Sequence, residues 1–215
     1  MQLFERLRAG APGPWARYIG HPFVRALGDG TLPREKFQRF LIQDYLFLVQ
    51  YARAWMLLAY KLDEPAEMRE AMATATALLE TELPLHIGYC AGWGIVEAEL
   101  AAAPASLECI AYTRYVLEVG HAGDALELMA ALAPCIAGYA EIGAALAPGL
   151  APDNPYRDWV AAYTGADYLG SVTAALALMQ RLAERAGAEA RFEKLQRIFT
   201  QATACEAAFW ETGWR

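Results

Sequence analysis

The sequence predicts an all-helical bundle, and three observations carry that prediction. Apolar residues recur at helical spacing along almost the whole chain, as in Phe37, Leu41, Leu48 and Trp55. Alanine, which loses no side-chain entropy in a helix, is abundant throughout. No stretch alternates apolar and polar residues with the period of a half-buried strand. At 215 residues the chain fits one domain spanning positions 1–215, able to bury a core without disulfides or metal.

Residues 2–19 read as a helix disturbed by Pro12 and Pro14. A short helix, His21 to Leu27, ends in the turn Gly28-Asp29-Gly30. A long helix then opens with Thr31 as cap, Pro33 in the first turn and Glu35 at the positive end of the dipole, and reaches about Lys61. Asp63 caps the next helix, with Pro65 in its first turn, and that helix continues to about Cys90 with a kink near Pro84. After Gly92 and Gly94 a short helix precedes Pro104. Residues 105–119 form a helix stopped at Gly120, and residues 124–146 form one kinked by Pro134. Pro148 to Pro155 is the clearest loop, and the last helices span 155–163, 167–185 and 188–211. Long helices on short connections make a bundle.

Composition narrows the function. The net charge is −7 and no basic face appears, which argues against nucleic-acid binding. Cys90, Cys109, Cys135 and Cys205 are widely spaced without a CxxC, so they suggest neither a zinc ribbon nor a redox pair and fit free thiols in a reducing cytoplasm. The opening MQLFERLRAG is mixed in charge, unlike a signal peptide. The most apolar run, Leu128 to Ala140, is too short to span a bilayer and is closed by Glu141. Glu118 and His121 form one ExxH, but neither His21 nor His86 completes a second, so no di-iron centre is expected. No GxSxG, Walker A or GxGxxG appears.

Several helices carry polar groups on apolar faces. Asp44 shares a stripe with Phe37, Leu41, Leu48, Tyr51 and Trp55, where a carboxylate needs partners. A structural hydrogen bond to a neighbouring helix is the ordinary explanation. Cys135 follows Pro134, which opens the backbone ladder, and Tyr139 lies one turn on. Taken alone, a free cysteine is a small core hydrophobe, and Cys90, Cys109 and Cys205 are assigned no chemistry. Glu206 borders Phe209 and Trp210, although a lone helical glutamate is ordinarily a solvated position. Tyr112 and Tyr163 are helical tyrosines that mean little singly. Glu82 and His86, one turn apart, form either an orienting pair or an exposed one.

Together these segments resemble the TenA (thiaminase II) family. HPFVRALGDGTLPREKFQRFLIQDYLFLVQYARAW is similar to that family's N-terminal signature, LAPCIAGYAEIG to its cysteine helix, and WVAAYTGADY and CEAAFWETGW to its two C-terminal segments. The likeness covers nearly the whole chain in order. It implies an all-α fold of the haem-oxygenase type, a homotetramer, and a thiamine-salvage hydrolase. Its substrate would be thiamine or the degraded aminopyrimidine, its product hydroxymethylpyrimidine, and no cofactor or metal would be needed. Carried over by matching position, Cys135 is the nucleophile and Glu206 partners the pyrimidine ring nitrogen. Asp44 binds the amino-pyrimidine edge, Tyr139 assists the chemistry, and Phe47, Tyr51, Tyr112, Tyr139 and Tyr163 line the pocket. Phe47 departs from members that have tyrosine there, leaving ring packing without a hydroxyl.

The chemistry fits those groups. Aromatic walls bind the faces of a flat pyrimidine and carboxylates read its edge. Thiolate addition pushes electrons onto the ring nitrogen, which an acid stabilises, and nearby hydroxyl donors are expected to favour the thiolate. Three other readings compete. A cofactorless oxidase on the same fold would draw on more histidine and arginine than a chain with 3 histidines offers. A pyrimidine-binding module would bind without turnover. A DNA-binding regulator would need a recognition element that is not evident. The expected partner is a small molecule, with neither nucleic acid nor membrane.

Overall fold

The computed structural model describes residues 1–215, and its regular structure is entirely helical, with no strand. The first predicted helix is two: α1 (Leu3–Ala9) and α2 (Pro12–Ile19). The chain breaks at Gly10-Ala11 and Pro12 starts α2, where its missing N–H is no loss. In α3 (Pro22–Gly28) the His21 ring caps the helix, accepting from the Phe23 N–H at 3.1 Å. The 28-residue α4 (Arg34–Lys61) has Pro33 at its cap position. Thr31 does not cap it, because its hydroxyl turns back toward the Ala26 carbonyl. Nor does Asp63 cap α5 (Pro65–Ala77), which starts from Glu64 without a side-chain bond.

The kink expected near Pro84 is a π-turn just before it. Leu78–Glu82 form that wider turn, closed by the Leu83 N–H on the Leu78 carbonyl, and α6 (Leu83–Ala91) follows with Pro84 in its first turn. After α7 (Glu97–Ala102) comes α8 (Leu107–Ala122), which passes through Gly120 rather than stopping there. A Cβ at Gly120 would lie 2.7 Å from Leu57 Cδ2 and 3.1 Å from Leu128 Cδ1, so this glycine serves close helix approach, not termination. The chain continues through α9 (Ala125–Leu146), a short 3-10 turn (Ala147–Gly149), α10 (Arg157–Thr164) and α11 (Ala166–Arg185). Another 3-10 turn (Ala188–Arg191), α12 (Phe192–Phe209) and α13 (Glu211–Trp214) complete it. The loop before α10 is fastened by the Asn154 amide, which donates to the carbonyls of Leu27 at 3.1 Å and Gly28 at 2.9 Å.

Helix α9 is the axis of the bundle. Residues 125–139 are all buried, enclosed by α2, α4, α8, α10, α11 and α12. At 22 residues, running past Glu141, it is long and apolar enough to cross a membrane, contrary to the length argument from sequence. Its length is used instead to anchor the core, because protein covers it. A helix this apolar on every face belongs in an interior.

Gly138 sets the distance between α9 and α2. A Cβ there would intrude on the buried Tyr18 ring, 2.6 Å from its hydroxyl oxygen. Gly138→Ala should destabilise the fold by about 1–3 kcal/mol through overpacking. Gly170→Ala, in α11 with nothing near its added methyl, should be neutral or gain about 0.5–1 kcal/mol. Urea unfolding midpoints of the two variants check the pair; equal midpoints would contradict the packing argument.

Candidate active site

A cavity of about 440 Å³ lies between α4, the π-turn, α9, α10 and the start of α11, within the size range of small-ligand sites. Its wall includes Asp44, Phe47, Leu48 and Tyr51 from α4, and Cys135, Ile136 and Tyr139 from α9. Tyr163 of α10, Tyr168 of α11, and Leu78, Glu82 and Leu85 around the π-turn complete it. Exposed Ala77, Thr81, Ala166 and Asp167 mark the mouth. Helical spacing explains the α4 contribution: Asp44, Phe47, Leu48 and Tyr51 fall on one face, three and four residues apart.

Aromatic rings make the walls. Phe47 stacks on Tyr112 at 4.9 Å and on Tyr51 at 5.2 Å between centroids, so the ring packing expected for Phe47 is present. Tyr139 packs against Tyr163 at 4.9 Å and Trp210 at 5.5 Å. Two hydroxyls secure α9 on either side of Cys135: Tyr51 donates to the Leu132 carbonyl at 2.8 Å and Tyr168 to the Ile136 carbonyl at 3.0 Å. Pro134, which cannot donate, loosens the ladder in the same stretch.

Of the eight residues singled out from sequence, Asp44, Phe47, Tyr51, Cys135, Tyr139 and Tyr163 lie on the cavity wall. Tyr112 and Glu206 do not. They stand one layer behind it, shielded by Phe47 and Cys135, with the Tyr112 hydroxyl donating to Glu206 Oε1 at 2.7 Å. The Cys135 thiol lies close enough for each group to act on the other's proton. Burial pushes the Glu206 carboxyl up to about 8, against the lowering effect of Tyr112 and Cys135. At neutral pH it therefore keeps its proton.

The thiol is also held protonated, which corrects the expected thiolate. Burial raises its pKa well above the ordinary value, and Glu206, Glu82 and Asp44 add to this when they are ionised. The Tyr51 hydroxyl acts in the opposite direction and is outweighed. Hydroxyl donors alone do not make a thiolate in a cavity ringed by carboxyl groups.

Sequence reasoning left Glu82 and His86 undecided, and both belong to the site. His86 is fully buried; its Nδ1 lies 2.8 Å from the Glu82 backbone carbonyl and its Nε2 3.1 Å from Asp44 Oδ2. Only Nδ1–H can meet the carbonyl, so a neutral ring would set a bare Nε2 against a carboxylate oxygen. A charged imidazole suits that contact, although the two atoms are not aligned as a hydrogen bond. Burial lowers the imidazole pKa, but Asp44, then Glu82, outweigh it and leave it raised. The Glu82 carboxyl is raised by burial, eased by His86, and accepts from the Tyr163 hydroxyl at 2.8 Å. Tyr168 was likewise missed. The usable signal was the Glu82–His86 spacing, which aims both inward across the π-turn. No group of three or more His, Cys, Asp or Glu side chains is arranged to hold a metal ion.

Known proteins share this arrangement of helices. The family model described as the TENA/THI-4/PQQC family matches residues 11–215. An aminopyrimidine aminohydrolase of Halalkalibacterium halodurans is 37% identical over 202 residues, covering 92% of this chain and 88% of that protein. An aminopyrimidine aminohydrolase of Helicobacter pylori is 32% identical over 217 residues, covering all of both chains. The crystal structure of a TenA family transcription regulator from Silicibacter sp. TM1040 superimposes with a TM-score of 0.94 at 43% identity, covering 99% of this chain and 96% of that one.

The pKa of Glu206 predicts a pH signature. Its folded value is about 8 against an ordinary 4.5, so between these limits the folded protein holds a proton that the unfolded chain has lost. Stability from this group therefore falls as pH rises through that window, by about 1.4 kcal/mol per pH unit. Glu206→Gln, a neutral isostere, should flatten that slope and gain on the wild type between about pH 5 and pH 8. Denaturant midpoints at the two pH values measure it; parallel slopes would contradict the protonated carboxyl.

Proposed function

This chain belongs to the TENA/THI-4/PQQC family, and we propose that it is a thiamine-salvage hydrolase that cleaves the exocyclic C–N bond of an aminomethyl-pyrimidine, or of thiamine, through a pyrimidine adduct on Cys135. It is a hydrolase of thiamine-related pyrimidines, as the aminopyrimidine aminohydrolases similar over most of its length are. The observation that carries the finer reading is the Cys135 thiol on the wall of an aromatic cavity that also holds Asp44, with the protonated Glu206 carboxyl buried directly behind it.

In the proposed mechanism the sulfur adds to the ring carbon beside a ring nitrogen. One bond separates these two ring atoms, so a carboxyl that acts on the thiol is placed to act on that nitrogen as well. Protonated Glu206 gives its proton to the nitrogen and receives the thiol proton, and the nucleophile forms as it attacks. A standing thiolate is then unnecessary. Asp44, held by His86, accepts from the exocyclic amino group and favours the electron push that expels the leaving group. Water adds to the exocyclic carbon and the sulfur departs, restoring the aromatic ring. The residues present supply every proton and the nucleophile. The cavity wall holds no Lys, Arg or His, which favours this reading over a cofactorless oxidase.

The same proposal covers assembly and setting. One continuous core running from Leu3 to Trp210 supports a single domain over positions 1–215. The four free cysteines fit the cytoplasm. Exposed Met68 and Met72, one turn apart on α5, and Leu107 and Ile110 on α8 support a homotetramer that covers them. Light scattering at micromolar concentration should give four times the chain mass of 23.6 kDa; a monomer mass would reject the tetramer.

Chromatography of purified protein incubated with aminomethyl-pyrimidine and with thiamine should reveal hydroxymethylpyrimidine. Cys135→Ser should lower turnover at least about a hundredfold, because a serine hydroxyl supplies little nucleophile at neutral pH. Product binding should persist. Cys109→Ser, a buried thiol on α8 away from the cavity, should retain activity. Near-normal hydrolysis by Cys135→Ser would overturn the nucleophile.

A further inference from the structure

Asp44 and Glu206 are provided for within the protein. Asp44 has the His86 imidazole as its counter-charge, and Glu206 keeps its proton while accepting from Tyr112. The third carboxyl of the site, Glu82, is not. It lies on the cavity wall, and its one side-chain bond comes from the neutral Tyr163 hydroxyl. No lysine or arginine acts on it; the one cation that does is His86, already engaged by Asp44. A carboxylate in a poorly solvated cavity without a counter-charge is unfavourable, and a cationic ligand would complete it.

Its position matches one part of the substrate. Glu82 and the Cys135 thiol line the same cavity, and the charge of the carboxylate acts on the thiol. The π-turn presents Glu82 there, beside the mouth through which a leaving group would depart. The ring edge is already allotted to Asp44 and Glu206. What remains is the exocyclic substituent, which is an ammonium in the aminomethyl compound near neutral pH and a thiazolium in thiamine.

Resting on the hydrolase reading above, we infer that Glu82 is a further catalytic residue, which binds the cationic exocyclic substituent and then takes the proton of the water that replaces it. In the aminomethyl case the C–N bond breaks, its electron pair leaves with ammonia, and the ring of the adduct supplies the pair that forms the exocyclic double bond. Water oxygen bonds to the exocyclic carbon, that π pair returns to the ring, and one water proton passes to the Glu82 carboxylate. Glu82 then gives this proton to ammonia, which leaves as ammonium. The sum is substrate ammonium and water giving neutral alcohol and ammonium ion. The alcohol carries no charge, so the carboxylate holds substrate more tightly than product.

Glu82→Gln keeps the size and an acceptor for Tyr163 while removing the charge. Two measurements on the full-length protein test the role. Steady-state hydrolysis of aminomethyl-pyrimidine at about pH 7.5 should show kcat/KM lower by about a hundredfold. Calorimetry in a Cys135→Ser background, where turnover is suppressed, should show the affinity ratio of aminomethyl- to hydroxymethyl-pyrimidine at least about tenfold smaller, with alcohol affinity itself within about threefold. A preserved affinity ratio, or alcohol binding that falls in step with kcat/KM, would overturn the role of Glu82. Absence of hydrolysis by the wild type would instead sink the hydrolase reading, and the binding ratio would still decide whether Glu82 reads the cation.

Discussion

The burial of α9 from Ala125 to Tyr139 is the constraint around which the other helices are arranged. A helix apolar on all faces must be covered on all faces, and α2, α4, α8, α10, α11 and α12 do this. Its small residues admit close neighbours: Gly138 receives the Tyr18 ring, and Ala130, Ala131 and Ala133 are fully buried. The cavity occupies the place beside Cys135 where the covering helices do not meet. Tyr51 and Tyr168 fix the helix carbonyls flanking the cysteine, so the sulfur is set by the same packing that makes the core.

Enclosure also decides the electrostatics. Carboxyl groups far from bulk water either find a counter-charge or tend to keep a proton, and Asp44 and Glu206 illustrate the two cases. Asp44 faces the His86 imidazole at 3.1 Å, while Glu206 retains its proton. Burial above all keeps Cys135 a neutral thiol, so its chemistry depends on proton transfer accompanying attack rather than on a stored thiolate. Charged groups with a purely structural role are paired differently. Glu67 on α5 takes Arg181 and Arg185 of α11, joining the two helices that flank the cavity mouth.

Much of the fold was legible in the sequence because helical periodicity is local. The stripe through Phe37, Leu41, Asp44, Leu48, Tyr51 and Trp55 is buried as its spacing implied. Proline and glycine were read less well, since each has several uses. Pro12 starts a helix instead of disturbing one, Pro84 follows a π-turn, and Gly120 serves packing. Thr31 and Asp63 have capping side chains, yet Pro33 and Glu64 occupy the cap positions, because the path of the chain decides which residue sits there.

What the sequence determined by itself was the helical class, the apolar faces, and the polar residues that stood out on them, since each depends on neighbours three or four positions away. Only the tertiary structure decided which of those residues meet. It set Glu206 and Tyr112 behind the cavity wall and aimed Glu82 into it. It joined His86 to Asp44 across α6 and α4, and it turned an expected thiolate into a thiol. The reason is that burial and charge at a site sum over groups far apart in the chain. Asp44, Glu82, Cys135 and Glu206 lie on different helical segments, and only packing fixes the distances on which their protons depend.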